Sequence, residues 1–173
     1  MGPLIWGRTL PKAPSPVCED GEDYCENVHN YPTELIEEAM KIFQEETGTA
    51  EEMLEKTSEV IPPPRQRRSV SPNNTSPVCA TNTYHVGPRA ARSEDGQMYF
   101  VVNGVETLPF RQLVLTTHCV GQSEMCRAGG GVCSQGYSYY RLAALGEEGI
   151  VTHNFVFPTH CLCYRPHDWW LSL

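Results

Sequence analysis

Apolar residues recur along the chain with two different periods. Between Pro32 and Gly48, Leu35, Ile36, Ala39, Met40 and Phe43 fall at helical spacing, Glu34 and Glu37 sit near the positive N-terminal end, and Gly48 is placed to stop the turn. This predicts an amphipathic helix over about 32–48, with a shorter helical stretch from about Ala50 to Lys56. Two short helices bury too little surface to stand alone. The apolar stripe therefore needs a partner surface; docking on the second half of the chain and a loosely ordered acidic segment are both open. Farther along, the period shortens. Residues 97–103 (QMYFVVN), 110–117 (FRQLVLTT) and 150–157 (IVTHNFVF) are aromatic and β-branched and predict strands, and Asn103-Gly104 reads as a hairpin turn. Residues 137–145 (YSYYRLAAL) fit a strand through their tyrosines or a helical turn through RLAAL. The second half is expected to be mainly β.

Between the two patterns, residues 62–78 are rich in Pro, Arg, Ser and Asn, with Pro62 to Pro64 imposing an extended backbone. The division is an acidic segment at 1–61, a linker at 62–78, a β domain at 79–164 and a tail at 165–173. Charge follows it: residues 1–68 carry 14 Asp+Glu against 7 Lys+Arg, and residues 69–173 carry 7 against 6. A net charge of -8 argues against a nucleic-acid partner. No run of 18 apolar residues occurs, so insertion into a membrane is not expected. The 8 cysteines are even in number and point to an oxidised, secreted protein. Cys18 and Cys25 precede the linker and the other six follow it, so each half can close its own disulfides and could be a self-contained unit.

Arg65-Gln66-Arg67-Arg68 places basic residues where furin-type proprotein convertases have acidic subsites. Pro64 and Ser69 flank it with extended chain, so cleavage after Arg68 is expected; the alternative is a solvated charge cluster or a nuclear-localisation-like patch. Overlapping sequons at Asn73 and Asn74 suit glycosylation in the secretory pathway, although an Asn/Thr/Ser-rich linker also produces them by chance. Met1 to Trp6 lack the charged region and apolar core of a signal peptide, so the N-terminus is expected to be incomplete.

No catalytic motif stands out. Gly129 to Gly131 lack both the dinucleotide fingerprint and the Lys-Ser/Thr of a phosphate loop, and neither HExxH nor GxSxG occurs. Enzymatic activity and a cofactor are not expected. His160, Cys161, Cys163 and His167 are zinc-ligand types, but their short spacing and the oxidising context weigh against a metal, and none is assigned. A Cys161–Cys163 bond would need a strained small ring, so each needs a distant partner. Most of the 15 pairings of six cysteines stay open. In one, Cys119 and Cys126, joined by a segment that Gly121 can turn, face Cys161 and Cys163 as two rungs. A Cys79–Cys133 bond through that ring would close about 55 residues, worth about 4 kcal/mol in the chain-entropy model.

The stretch from Cys79 to Cys163 resembles the Spätzle domain, the neurotrophin-like cystine-knot ligand of Toll-type receptors. The marks are Val101-Val102-Asn103, Gln112 seven residues before Cys119, the Cys119/Cys126 gap, Cys133-Ser134-Gln135-Gly136-Tyr137 with Leu142, and Phe157-Pro158 leading to Cys161-x-Cys163. Cys18, Cys25 and Tyr31-Pro32 before a helix are similar to the family's prodomain. The resemblance implies a cystine-knot growth-factor fold preceded by a small, partly helical, acidic prodomain, with pairs Cys79–Cys133, Cys119–Cys161 and Cys126–Cys163. It also implies a secreted, cytokine-like homodimer that binds the leucine-rich ectodomain of a Toll-type receptor in innate immunity or development. The alternative is a clotting-type structural protein, coagulogen-like, sharing the knot; a convertase site, cut during secretion, favours the ligand. The family's cysteine that cross-links two subunits is replaced here by His160, so the dimer is expected to be non-covalent. Trp169 and Trp170 form an apolar cluster in the tail, read as packing on the chain or its dimer mate, or as a contact with receptor or prodomain.

Overall fold

A computed structural model describes residues 11, 13–18, 22–47, 60–61, 79–108, 111–127 and 130–164. The helix, α1, spans Thr33–Thr47. Pro32 closes its first turn by accepting from the Ile36 N–H at 3.0 Å, and Glu34 sits in that turn, where the helix dipole favours a negative charge. Its stripe of Ile36, Ala39 and Met40 is buried while Lys41 and Gln44 face outward, as the spacing requires.

The rest is β. The strands are β1 (Tyr24–Cys25), β2 (Val60–Ile61), β3 (Thr81–Val86), β4 (Ala90–Arg92), β5 (Met98–Val101), β6 (Val114–Cys119), β7 (Val132–Leu145) and β8 (Ile150–Tyr164). One antiparallel sheet runs β1-β4-β5-β7-β2. β8 lies on the other side of β7, because Leu145 pairs with both Phe100 and Ile150. β3 and β6 form a separate two-stranded ribbon. The β7–β8 hairpin turns through Gly146–Gly149, where Gly149 takes a φ of 140° that other residues rarely adopt.

One open alternative is resolved and one expectation changes. Residues 137–145 are strand throughout, since β8 pairs with all of them; Leu142 and Ala144 are buried toward Phe155 and Phe157, and Ala143 lies in the cluster shared with α1. Asn103-Gly104 is not a hairpin turn: β5 and β6 lie in different sheets, and the Asn103 side chain is buried in hydrogen bonds across the loop. Gly104 keeps a positive φ of 65°, which other residues rarely adopt, with the Arg89 guanidinium packed against it.

The two halves do not have separate cores. One cluster joins Cys18, Val28, Ile36, Ala39 and Met40 of the N-terminal segment to Ala90, Phe100, Val102, Val105, Ala143 and Leu145 of the sheet. A second lies within the β region, around Val101, Val114, Phe155 and Phe157. The stripe on α1 therefore buries itself on the sheet, so this helix does not have to stand alone. Among the described residues, no helix is long and apolar enough to cross a membrane. The expected second helical stretch, Gly48, Arg65, Arg67, Arg68, Ser69, Asn73, Asn74, His167, Trp169 and Trp170 lie outside the described residues.

Candidate functional site

The knot gathers at one end of β7 and β8. Disulfides join Cys79 to Cys133, Cys119 to Cys161 and Cys126 to Cys163, with Cα separations of 5.8, 5.3 and 5.9 Å. Cys161 and Cys163 point to the same side of β8, as residues two apart in a strand do, and each reaches one end of the 119–126 segment. The Cys126 Sγ lies 3.9 Å from that of Cys79 and 4.0 Å from that of Cys133, so the third bond packs directly against the ring made by the other two. Among the described residues, the one group of metal-ligand type is Cys79, Cys126 and Cys133. All three are in disulfides and offer no thiolate, and Cys161 and Cys163 are likewise committed.

Gln135 ties the knot to its surroundings. Its amide nitrogen donates to the carbonyls of Thr117 (2.8 Å) and His160 (3.0 Å), and its oxygen accepts from the Cys119 N–H (2.8 Å). One side chain from β7 thus bridges the free edge of β6 to β8. Beside it, the His160 imidazole covers Gly136, its cross-strand partner, where any Cβ would collide with the ring. The His160 Nδ1 lies 3.0 Å from the Thr159 hydroxyl, which is 2.8 Å from the Ser138 hydroxyl.

Away from the knot, the N-terminal segment covers one face and one edge of the sheet. On the face, Gln112 and Asn103 are only 4% and 3% exposed and satisfy the backbone where β5 ends. The Gln112 amide donates to the Val102 and Ala143 carbonyls (2.8 and 3.0 Å) and accepts from the Ala143 N–H (2.8 Å). The Asn103 amide donates to the Gln112 carbonyl at 2.7 Å. Tyr31 completes this network from the N-terminal side. Its hydroxyl donates toward the Val101 and Asn103 carbonyls (2.8 and 2.9 Å) and accepts from the Asn103 N–H (2.9 Å). Burial pushes the Tyr31 phenol up to about 12, against the opposing pull of the Asn103 bond and the Arg89 guanidinium, which sits 5.0 Å from its ring centroid.

At the edge, β1 pairs with β4. The Arg89 and Arg92 N–H groups donate to the Cys25 and Asp23 carbonyls (2.8 and 2.7 Å), and the Arg92 guanidinium pairs with the Asp23 carboxylate at 2.7 Å. The Gly87 N–H donates to a Glu26 carboxylate oxygen at 2.6 Å, and Thr107 donates to Glu37 at 2.7 Å. The Tyr24 ring lies 5.1 Å from Phe157, and its hydroxyl is 2.9 Å from the His118 Nε2; burial raises the Tyr24 phenol well above its ordinary value. Farther along the edge of β7 that meets β5, β2 pairs with Tyr139 and Tyr140. No disulfide among the described residues crosses between these parts: Cys18 bonds Cys25 within the N-terminal segment.

The cysteines, His160 and Gln112 had sequence signals. Asp23, Glu26, Arg89 and Arg92 had only the charge imbalance between the two halves, and Tyr31 only its place before Pro32.

The family model described as Spaetzle matches residues 76–165. Among curated proteins, Protein spaetzle 5 of Drosophila melanogaster is 32% identical over 112 residues, covering 59% of this chain and 28% of the relative. The chain thus spans little more than a quarter of that relative's length.

Proposed function

Since the chain belongs to the Spätzle family, we propose that it is a secreted, cytokine- or neurotrophin-like ligand of Toll-type receptors, made as a proprotein and cut after Arg68. The observation that carries this reading is the family match over the knot, residues 76–165. In this reading residues 1–61 are the prodomain, 62–78 the processed linker and 79–164 the signalling domain. The knot is a binding scaffold and not an enzyme. Its disulfides leave no free thiol among the described residues, a framework suited to the extracellular space.

The prodomain is held by a shared apolar cluster and by two short strand pairings without a crossing disulfide. A cut in the linker then leaves a non-covalent complex, and the receptor's leucine-rich ectodomain displaces the prodomain. Glycans on Asn73 or Asn74 travel with the mature part, because both follow the cut. The mature protein is a homodimer without an interchain disulfide, since His160 stands where the family's cross-linking cysteine is found.

The test is expression of the chain behind a heterologous leader in a secretory host, alongside a variant carrying Arg65→Ala and Arg68→Ala. The wild type should be secreted as two fragments split at Ser69 and should bind a Toll-type ectodomain; the variant should stay whole. On a non-reducing denaturing gel the mature part should run as a monomer, while light scattering on the native protein gives a dimer. Secretion of an uncut wild-type chain, or a cut protein that no Toll-type ectodomain binds, would falsify the ligand reading.

A further inference from the structure

We propose that the outer edge of β4 is a strand-accepting site for the receptor, specific for an extended segment that carries carboxylates and an aromatic residue, and that Asp23–Glu26 fill it in cis. The inference rests on the reading above, in which the N-terminal segment is displaced.

The edge presents donors in a row. The N–H groups of Gly87, Arg89 and Arg92 and the Arg92 guanidinium are taken by a Glu26 oxygen, the Cys25 carbonyl, the Asp23 carbonyl and the Asp23 carboxylate. Every one of these acceptors comes from the N-terminal segment. Between the two carboxylates, Tyr24 inserts its ring against Phe157 and meets His118. The site therefore reads an acid, an aromatic residue and a second acid along one extended strand, the chemistry of recognition by strand addition.

The grip is also exchangeable. The Arg92 and Asp23 side chains are 42% and 55% exposed, unlike the buried contacts under α1, and an open cavity of about 250 Å³ is lined by Tyr24, Cys25, Glu26, Asn27, Tyr84 and Val86. When the N-terminal segment leaves, four donors, one of them the charged Arg92 guanidinium, lose these acceptors together. A partner strand that restores them with carboxylates gains charge-assisted bonds at an edge already shaped for it.

The experiment uses the full chain cut in the linker, with both parts present, and measures ectodomain binding and prodomain retention side by side. The substitution Arg92→Glu weakens both partners of the edge, so retention falls and ectodomain affinity falls about tenfold. If the edge served only the prodomain, a weaker competitor would make the ectodomain bind better or equally well, and that result overturns the inference while leaving the ligand reading intact. Adding Asp23→Arg to Arg92→Glu restores the pair and hence retention, but leaves the ectodomain weak. The neutral Arg92→Gln gives an intermediate loss in a protein with less disturbance to folding, and Arg141→Glu, the same charge change at an exposed site on β7, leaves binding within about twofold. Equal losses for Arg92→Glu and Arg141→Glu would reduce the effect to net charge and also overturn it. If the cut wild-type protein binds no Toll-type ectodomain, the ligand reading and the inference fall together.

Discussion

Replacing Tyr31 by Phe removes one oxygen atom and tests how the N-terminal segment is held. In the native protein that hydroxyl serves two carbonyls and the Asn103 N–H where β5 ends, and Asn103 is almost fully buried. Without it the N–H has no acceptor, and an orphaned buried donor costs about 1–3 kcal/mol. A central loss of about 2 kcal/mol corresponds to a fall of roughly 4–8 °C in Tm for a chain of this size. Calorimetry on the uncut, oxidised protein measures it, and amide exchange locates it, because protection should fall at Asn103 while β7 and β8 keep theirs. The pH dependence gives a second signature. The unfolded phenol ionises near 10 and the folded one near 12, so in that window the unfolded chain binds fewer protons and stability falls as pH rises. At about 1.4 kcal/mol per pH unit this share reaches at most about 3 kcal/mol, is fully present below pH 10, and is missing from the variant. A variant with Tm within about 1 °C of wild type and unchanged exchange at Asn103 would refute the reasoning.

Gln135→Leu should lower stability by about 2 kcal/mol, because the Cys119 N–H and the carbonyls of Thr117 and His160 lose their shared partner; thermal unfolding checks it. Gly136→Ala should destabilise the protein by about 1–3 kcal/mol through collision with His160, and a double-mutant cycle with His160→Ala should recover most of the loss. Met40→Ala should cost about 2–5 kcal/mol from the shared core and speed loss of the N-terminal segment from a linker-cut sample, as followed by gel filtration.

The long elements were legible because their patterns are local. The helix expected over 32–48 spans Thr33–Thr47, and the strand expected over 97–103 holds Met98–Val101. The strand at 150–157 begins at Ile150 but runs to Tyr164, because pairing with β7 carries it through Pro158 and the cysteines past the point where the apolar pattern fades. Asn103-Gly104 misled for a physical reason. Gly tolerates positive φ, and the loop that folds around the buried Asn103 amide uses that tolerance at Gly104 as readily as a hairpin does. Gln112 and Gln135 stood out as motif positions, yet their chemistry depends on which carbonyls the fold brings within 3 Å, and that is set by strands far apart in sequence. The same holds for the N-terminal segment: periodicity showed that α1 needs a partner, and only the buried cluster that Ile36 and Met40 share with Phe100 and Val102 shows which.

The confinement of the Cys18–Cys25 bond to its own segment has a kinetic consequence. In the intact chain the linker keeps the segment at an effective concentration in the millimolar range beside the sheet, so every dissociation is followed by recapture. Under the proposed processing, a cut leaves the same contacts holding two separate molecules, and in a large extracellular volume a departure would be final. The lifetime of the masked state is then the dissociation time of the segment, a quantity that spans milliseconds to days among protein complexes. Scission would set a clock running, and the number of buried side chains on α1 would set its period. For a ligand of the proposed kind, signal range would follow from that period: a short one would confine activity to the neighbourhood of the cell that made the protein, and a long one would let the masked complex diffuse away before it opens.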